Sequence, residues 1–165
     1  MEEQPITFDN DAIDLIVNIS DRHPRVIIEI SHKVFNMAID SQKKDVTTLM
    51  VDQAIKEKYP EKVLWLEETL GKIIPSEKDT LIDLLSIGGR GTFEELARMN
   101  CDPGEEKIYN RMKIAIKVDL QGLSDTGICR SNKNLKNSGE DDLYEIIDPF
   151  SEYILKGLLK VENND

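Results

Sequence analysis

The stretch Asp21-Arg22-His23-Pro24-Arg25 decides how the first part of this chain folds. Pro24 has a fixed φ and no backbone N–H, so it fits the first turn of a helix, where that donor would lack a partner. Apolar residues follow mostly at steps of three and four, which is the spacing of one buried helix face. The pattern therefore predicts a helix from about residue 24 to about residue 41. Its apolar positions are Val26, Ile27, Ile30, Val34, Met37 and Ala38.

Arg25 lies in the first turn of this predicted helix, at its electropositive end. The helix dipole disfavours a cation there, typically by a few tenths of a kcal/mol. A nearby anion would remove that conflict, and a guanidinium group can hold a phosphate through several donors at once. The plainer alternative is a solvated arginine, or one that is paired with Asp21.

Composition and charge narrow the class of protein. The chain has 165 residues, 39% of them hydrophobic and 32% charged, which predicts one medium or two small globular domains. A net charge of −11 opposes nonspecific binding to nucleic acid, and 5% aromatic residues argue against a base-stacking platform. No apolar run reaches the roughly 20 residues of a membrane span. The acidic start lacks the features of a signal peptide, so we expect a cytoplasmic protein with both cysteines reduced.

The hydrophobic pattern divides the chain into four parts. Residues 1–60 are predicted to form a three-helix domain, and residues 61–74 a connecting helix or linker. Residues 75–161 are predicted to form a second domain, followed by a disordered tail at 162–165. The expected fold class is therefore mainly α.

The second domain is predicted to contain three helices, then a two-stranded hairpin and a last helix. Ser76 and Thr92 are the expected caps of the first two helices, and Gly122 is the expected end of the third. The strands are expected near residues 123–130 and 143–147, and the last helix begins at Pro149. This order of elements, with a helix-turn-helix inside it, is that of a winged helix.

The sequence contains no self-sufficient active site. The glycine-rich stretch Gly88-Gly89-Arg90-Gly91 is not followed by the Lys-Ser/Thr of a phosphate loop, and it follows a helical pattern rather than a strand. We interpret it as the end of a helix. His23 and His32 are nine positions apart, so they would not share a helix face as metal ligands.

Basic residues gather on the third helix of the second domain and near the hairpin. In a DNA-binding helix-turn-helix, such side chains meet phosphates or bases. The alternative is an exposed face of mixed charge, because Glu105, Glu106 and Asp119 lie on the same helix. The acidity of the whole chain favours a winged helix that faces protein. The candidate DNA-binding or partner-binding residues are Lys107, Asn110, Arg111, Lys113, Lys117, Arg130, Lys133 and Lys136.

The order of short motifs in the first domain resembles the helical lid of AAA+ and related STAND-type P-loop ATPases. Lids of archaeal origin-recognition initiators and transposition ATPases are similar. The motifs are Ile6-Thr7-Phe8-Asp9, Ala12-Ile13-Asp14-Leu15-Ile16, His23-Pro24-Arg25, Val46-Thr47 and Val51-Asp52-Gln53-Ala54-Ile55. The resemblance implies that Arg25 is the second sensor, which reaches the terminal phosphates of a nucleotide. The glycine that is usual two residues before the proline is replaced by Arg22.

The second domain resembles the winged helix that follows such lids, through Gly122-Leu123 and Ile147-Asp148-Pro149-Phe150 with Tyr153. The resemblance implies an ATPase core, upstream or separate, that would hold ATP and Mg²⁺. For this chain alone we expect no cofactor and no ATP hydrolysis. Expected partners are that core and a protein or neighbouring subunit; DNA is disfavoured by charge, and a membrane is not expected. Two alternatives remain, a stand-alone DNA-binding regulator and a protein-binding adaptor.

Overall fold

A computed structural model of the chain describes residues 5–132 and 142–161. These residues form eight helices and five short strands, so the predicted mainly helical class is confirmed. The chain divides into two compact units, which cover residues 1–65 and 66–165. Helix α4 (Pro60–Leu70) contains the point of division.

The first unit is built on three helices, α1 (Asn10–Ile19), α2 (Pro24–Asp40) and α3 (Thr48–Lys58). The inward face of α2 carries Ile30, Val34 and Ala38, all fully buried, as the apolar spacing predicts. They meet a core formed by Ala12, Ile16, Val51, Ala54 and Ile55 of the other two helices.

A short pair of parallel strands joins the segment before α1 to the segment between α2 and α3. Strand β1 (Thr7–Phe8) pairs with β2 (Asp45–Val46), and the Thr7 hydroxyl donates to an Asp45 carboxylate oxygen at 2.6 Å. The sequence analysis does not predict this pair, because strands of two residues are too short to show a period.

The second unit contains four more helices and a three-stranded antiparallel sheet. The helices are α5 (Pro75–Ser86), α6 (Phe93–Met99), α7 (Glu106–Thr126) and α8 (Pro149–Leu159). The strands are β3 (Arg90–Thr92), β4 (Cys129–Asn132) and β5 (Leu143–Ile146), in the order β3-β5-β4. The second hairpin strand is confirmed at β5, but the first is placed too early in the prediction, because residues 123–126 still belong to α7 and β4 begins at Cys129. Strand β3 falls on a stretch that the sequence predicts only as a helix end.

The ends of two helices differ from the prediction. Helix α5 begins at Pro75, one residue before the predicted cap Ser76, and the Glu77 carboxylate accepts a hydrogen bond from the Ile74 N–H at 2.9 Å. Helix α7 continues through Gly122 and ends before Gly127, whose φ of 82° is a left-handed conformation that suits glycine. A β-carbon at position 122 would collide with the Glu77 carboxylate. Gly122 therefore marks a close approach of α5 to α7, and not a helix end.

Asp119 is buried, which corrects the prediction that it lies on an exposed face of mixed charge. Its two carboxylate oxygens accept hydrogen bonds from the Ser76 hydroxyl at 2.9 Å and the Thr80 hydroxyl at 3.0 Å. Both donors belong to α5, so this cluster fixes the rotation and register of α7 against α5. The outward face of α7 is set by the same contact.

The cap predicted at Thr92 is confirmed. The Thr92 hydroxyl accepts from the Glu95 N–H at 3.2 Å, and the Glu95 carboxylate accepts from the Thr92 N–H at 2.8 Å. This reciprocal pair satisfies two N–H groups at the start of α6. It therefore fixes the place where the chain leaves β3 and enters α6.

Candidate functional site

The backbone before Arg25 turns sharply between α1 and α2. Asp21 and Arg22 both have positive φ, 50° and 57°, in the left-handed region. The His23 N–H donates to the Ser20 carbonyl at 2.9 Å and closes the turn. A left-handed backbone conformation is easiest for glycine and is tolerated by aspartate. Arg22 is therefore the residue in this turn that is least suited to its backbone conformation.

Arg25 is held at the surface of the first unit. Its side chain is 82% exposed, and its Nε donates to a Glu29 carboxylate oxygen at 2.9 Å. Its partner is therefore Glu29, one helical turn along α2, and not Asp21 as in the plainer alternative. An exposed pair of this kind is weak, so the guanidinium can leave Glu29 at little cost.

Glu29 has further partners besides Arg25. One of its carboxylate oxygens lies 3.5 Å from Lys58 Nζ and accepts from the Tyr59 hydroxyl at 3.4 Å. The hydrogen bond from Arg25, with the charge of Lys58, holds the pKa of Glu29 below its usual range. Burial, with the charge of Glu29, raises the pKa of Tyr59. Glu29 therefore keeps a counter-charge in Lys58 when Arg25 moves away.

Three of the predicted binding residues share one exposed face of α7. Lys107, Asn110 and Arg111 lie within a turn of one another, and Ile114 and Val118 continue the same side. We call these five residues the outer α7 face. Ile114 and Val118 are mostly exposed, although they are large and apolar. The sequence analysis did not select them, but their spacing of seven and eleven from Lys107 is the signal that would have found them.

Lys113 and Lys117 are turned toward α6 instead. Lys113 forms an ion pair with Glu94, and both ammonium groups lie over the ring of Phe93, at 5.3 Å for Lys113 and 5.2 Å for Lys117. The Lys113 charge is therefore neutralised inside the unit. Both lysines lie beside the outer α7 face and help to hold α6 on α7.

Arg130 is engaged across the hairpin. Its Nε donates to a Glu145 carboxylate oxygen at 2.7 Å, and the Asn132 side chain donates to the same oxygen at 2.6 Å. The hydrogen bond from Arg130, with that from Asn132, holds the pKa of Glu145 below its usual range. The predicted contact residues Lys133 and Lys136 lie outside the described residues.

The Arg130–Glu145 pair predicts a pH dependence of stability. Because the pKa of Glu145 is lowered in the folded chain, its contribution is present above the ordinary value of 4.5 and is lost as pH falls through the folded pKa. We expect Arg130→Gln to lower the melting temperature at pH 7 by roughly 2–4 °C, and by less as pH falls toward about 3. Thermal denaturation across this pH range, with Arg111→Gln as the matched exposed control, measures the difference. An Arg130→Gln deficit that stays constant with pH would contradict this assignment.

The described residues hold few other candidates for chemistry. Residues 5–132 and 142–161 contain no group of three or more His, Cys, Asp or Glu side chains that could hold a metal ion. Burial raises the pKa of the Cys129 thiol to about 12, which makes it a poor nucleophile at neutral pH. Within this same part of the chain, no helix has the length and apolar character needed to cross a membrane.

Comparison of the chain with protein families, with curated proteins and with solved structures finds no match in any of the three.

Proposed function

We propose that this chain is the C-terminal regulatory part of an AAA+/STAND-type P-loop ATPase. Its first domain, residues 1–60, would be a helical lid that senses nucleotide through Arg25. Its second domain, residues 75–161, would be a winged helix that passes the nucleotide state to a protein partner or a neighbouring subunit. The chemistry of ATP hydrolysis would belong to a separate core.

The observation that carries the proposal is the exposed guanidinium at the start of α2. Arg25 projects from the first turn of a helix whose opposite face is buried, and its ion pair with Glu29 is exposed and exchangeable. A terminal phosphate would offer it a stronger, multidentate partner than one carboxylate oxygen does. The left-handed φ of Arg22 adds support, because the lid family carries glycine at that position and glycine suits that conformation.

The second unit supports the winged-helix part of the proposal. A short helix, α6, is followed by a turn and the long helix α7, and the β4–β5 hairpin then leads to α8. Strand β3 adds to the open edge of β5, so that the hairpin is anchored to the segment before α6. This is the order of elements that a winged helix requires.

The outer α7 face favours a protein over DNA as the partner of this domain. Ile114 and Val118 occupy its C-terminal part, where burial against apolar groups is favourable and burial against a phosphate backbone is not. Five of the seven predicted cations lie among the described residues, and of these Lys113 and Arg130 are neutralised by Glu94 and Glu145. The remaining charge is small against a net charge of −11.

In the proposed mechanism, ATP and Mg²⁺ are held by the core and this chain supplies a sensor. With ATP bound, Arg25 would leave Glu29 for the terminal phosphate, and Lys58 would remain to neutralise Glu29. With ADP bound, the phosphate partner is missing and Arg25 returns to Glu29. The lid position then differs between the two states only through this difference in contact, which is a hinge-type change.

The experiment that tests the proposal first reads the coding region immediately upstream and then combines the chain with any phosphate-loop ATPase core found there. The isolated chain is expected to show no nucleotide turnover. The core is expected to bind this chain, and the combined protein is expected to hydrolyse ATP. An upstream coding region without a phosphate-loop ATPase would count against the proposal. Turnover by the isolated chain that disappears with Arg25→Ala would overturn it.

A second candidate function is a stand-alone DNA-binding regulator. It is favoured by the common placement of Lys107, Asn110 and Arg111 on the outer α7 face. A gel-shift series across salt concentrations separates the two functions. A regulator retains specific binding at moderate salt and loses it with Arg111→Ala, whereas the lid proposal expects only weak binding that salt abolishes. If the chain binds neither DNA nor an ATPase core, a protein-binding adaptor is the remaining alternative.

A further inference from the structure

Helix α2 carries a second apolar stripe, on the side opposite its buried face. Ile28, His32, Phe35 and Ile39 follow one another at steps of four, three and four, and we call them the outer α2 stripe. Ile28 is 67% exposed, Phe35 40% and Ile39 52%. This spacing is that of a helix seam that packs against another helix. Three large apolar side chains at this spacing, with His32 between them, form an exposed face on which a second helix could pack.

We infer that the outer α2 stripe binds the same stripe of a second copy of this chain, with the two helices antiparallel. This inference stands apart from the proposed function. In an antiparallel pair, Ile28 of each copy meets Ile39 of the other, and His32 of each meets Phe35 of the other. Apolar side chains therefore meet at both ends, and rings meet in the middle. The interface is isologous, as expected for a two-fold dimer.

The charges at the two ends of α2 decide the direction of the pair. Arg25 lies at the electropositive N-terminus and Asp40 at the electronegative C-terminus, so each charge is at the unfavourable end of its own helix. They are both exposed and lie on the same side of the outer α2 stripe, about 22 Å apart along the axis and about 60° apart around it. Antiparallel packing brings the end of one helix that carries Arg25 to the end of the other that carries Asp40, twice. Parallel packing would place the two Arg25 side chains together.

The existing contacts of Arg25 allow its guanidinium group to leave Glu29 for Asp40 of a second copy. Its pair with Glu29 is exposed, and Glu29 keeps Lys58 and Tyr59 as partners. One helix face on each copy buries less surface than a standard interface, so the dimer belongs to the weak class, below about 1,200 Å² in total. We therefore expect a concentration-dependent dimer with a dissociation constant in the micromolar range. The same guanidinium cannot hold Asp40 of a second copy and a nucleotide phosphate at once.

Sedimentation of the full chain from about 10 μM to about 1 mM tests the apolar contact. The wild-type chain is expected to shift from monomer to dimer over this range. Ile28→Lys introduces two charges into the interface and is expected to raise the dissociation constant at least about tenfold. Leu49→Lys is the matched control, because Leu49 is 78% exposed but lies on α3, away from the outer α2 stripe. This control is expected to dimerise like the wild type.

Exchange of the charged residues at the two ends of α2 tests whether the two helices pack antiparallel. Arg25→Asp alone and Asp40→Arg alone each create two like-charge contacts and are expected to weaken the dimer about fivefold or more. The double variant restores opposite charges and is expected to dimerise like the wild type. Each single change also puts the favourable sign at its own helix end, so loss of folding would not explain a loss of dimer.

Three results would overturn the inference. They are a monomer at every concentration, a dimer that Leu49→Lys weakens as much as Ile28→Lys does, and a double variant that stays as weak as the single ones. None of the three bears on nucleotide sensing by a lid joined to its core.

Discussion

Asp119→Ala is expected to lower the free energy of unfolding of the second unit by about 2–3 kcal/mol. The substitution removes two hydrogen bonds to a buried carboxylate, from Ser76 and Thr80, and leaves the Thr80 hydroxyl buried without that acceptor. Hydrogen bonds to charged groups contribute roughly 1.5–3 kcal/mol each. The substitution also removes the desolvation cost of the buried carboxylate, which offsets part of the loss. A unit of this size should lose about 10 °C in melting temperature.

Thermal denaturation followed by circular dichroism measures this effect, and Asp125→Ala is its control. Asp125 lies on the exposed side of α7 and accepts a single hydrogen bond, from Gln121 one turn away. Its loss is expected to cost less than about 0.5 kcal/mol. Equal effects of the two substitutions would mean that the Asp119 cluster does not hold α7 on α5.

Arg25→Ala is expected to lower ATP turnover by the ATPase core joined to this chain about 100-fold. If Arg25 contacts the terminal phosphates, it neutralises charge where charge develops during transfer, and removing one such donor typically costs 10²- to 10³-fold. Arg25→Lys should retain part of the rate, because an ammonium group keeps the charge and loses the planar, multidentate contact.

Arg22→Gly is the matched control for that experiment. It removes a cation three positions from Arg25, at a site with a φ of 57° that glycine adopts without strain. Turnover is expected to remain near the wild-type rate. A rate loss with Arg22→Gly as large as with Arg25→Ala would point to general electrostatics of the turn, and not to a sensor at position 25.

The helices could be predicted because the spacing of apolar residues repeats over several turns of each helix. Ile30, Val34 and Ala38 mark the buried face of α2 at the expected spacing, and Pro24 marks its start. The beginning of α6 follows from the Thr92 and Glu95 pair, which is a local signal that needs no tertiary contact.

The features that sequence reasoning missed depend on tertiary contacts. Strand β3 is three residues long and becomes a strand only because β5 is available to pair with it. From the sequence, Gly122 is predicted to end a helix; only the contact with the Glu77 carboxylate of α5 shows why a glycine is needed there. The alternative interpretation of α7 placed Asp119 on an exposed face of mixed charge, but the hydroxyl donors that permit its burial lie about 40 positions earlier.

The candidate site was predicted in part. The position of Arg25 at the start of α2 follows from Pro24, and its Glu29 partner could have been found from the four-residue spacing of opposite charges. The apolar spacing leaves Ile28 and Ile114 off the buried faces of their helices, but spacing alone does not indicate whether another part of the chain covers their side. Only the remaining contacts of α2 and α7 decide that.

The affinities of the joined ATPase for ATP and for ADP, measured with and without Arg25, test the sensing role most directly. The account predicts that Arg25→Ala weakens ATP binding about tenfold or more and leaves ADP binding nearly unchanged, since only ATP offers the terminal phosphate. Equal weakening of both nucleotides, or no change in either, would contradict it.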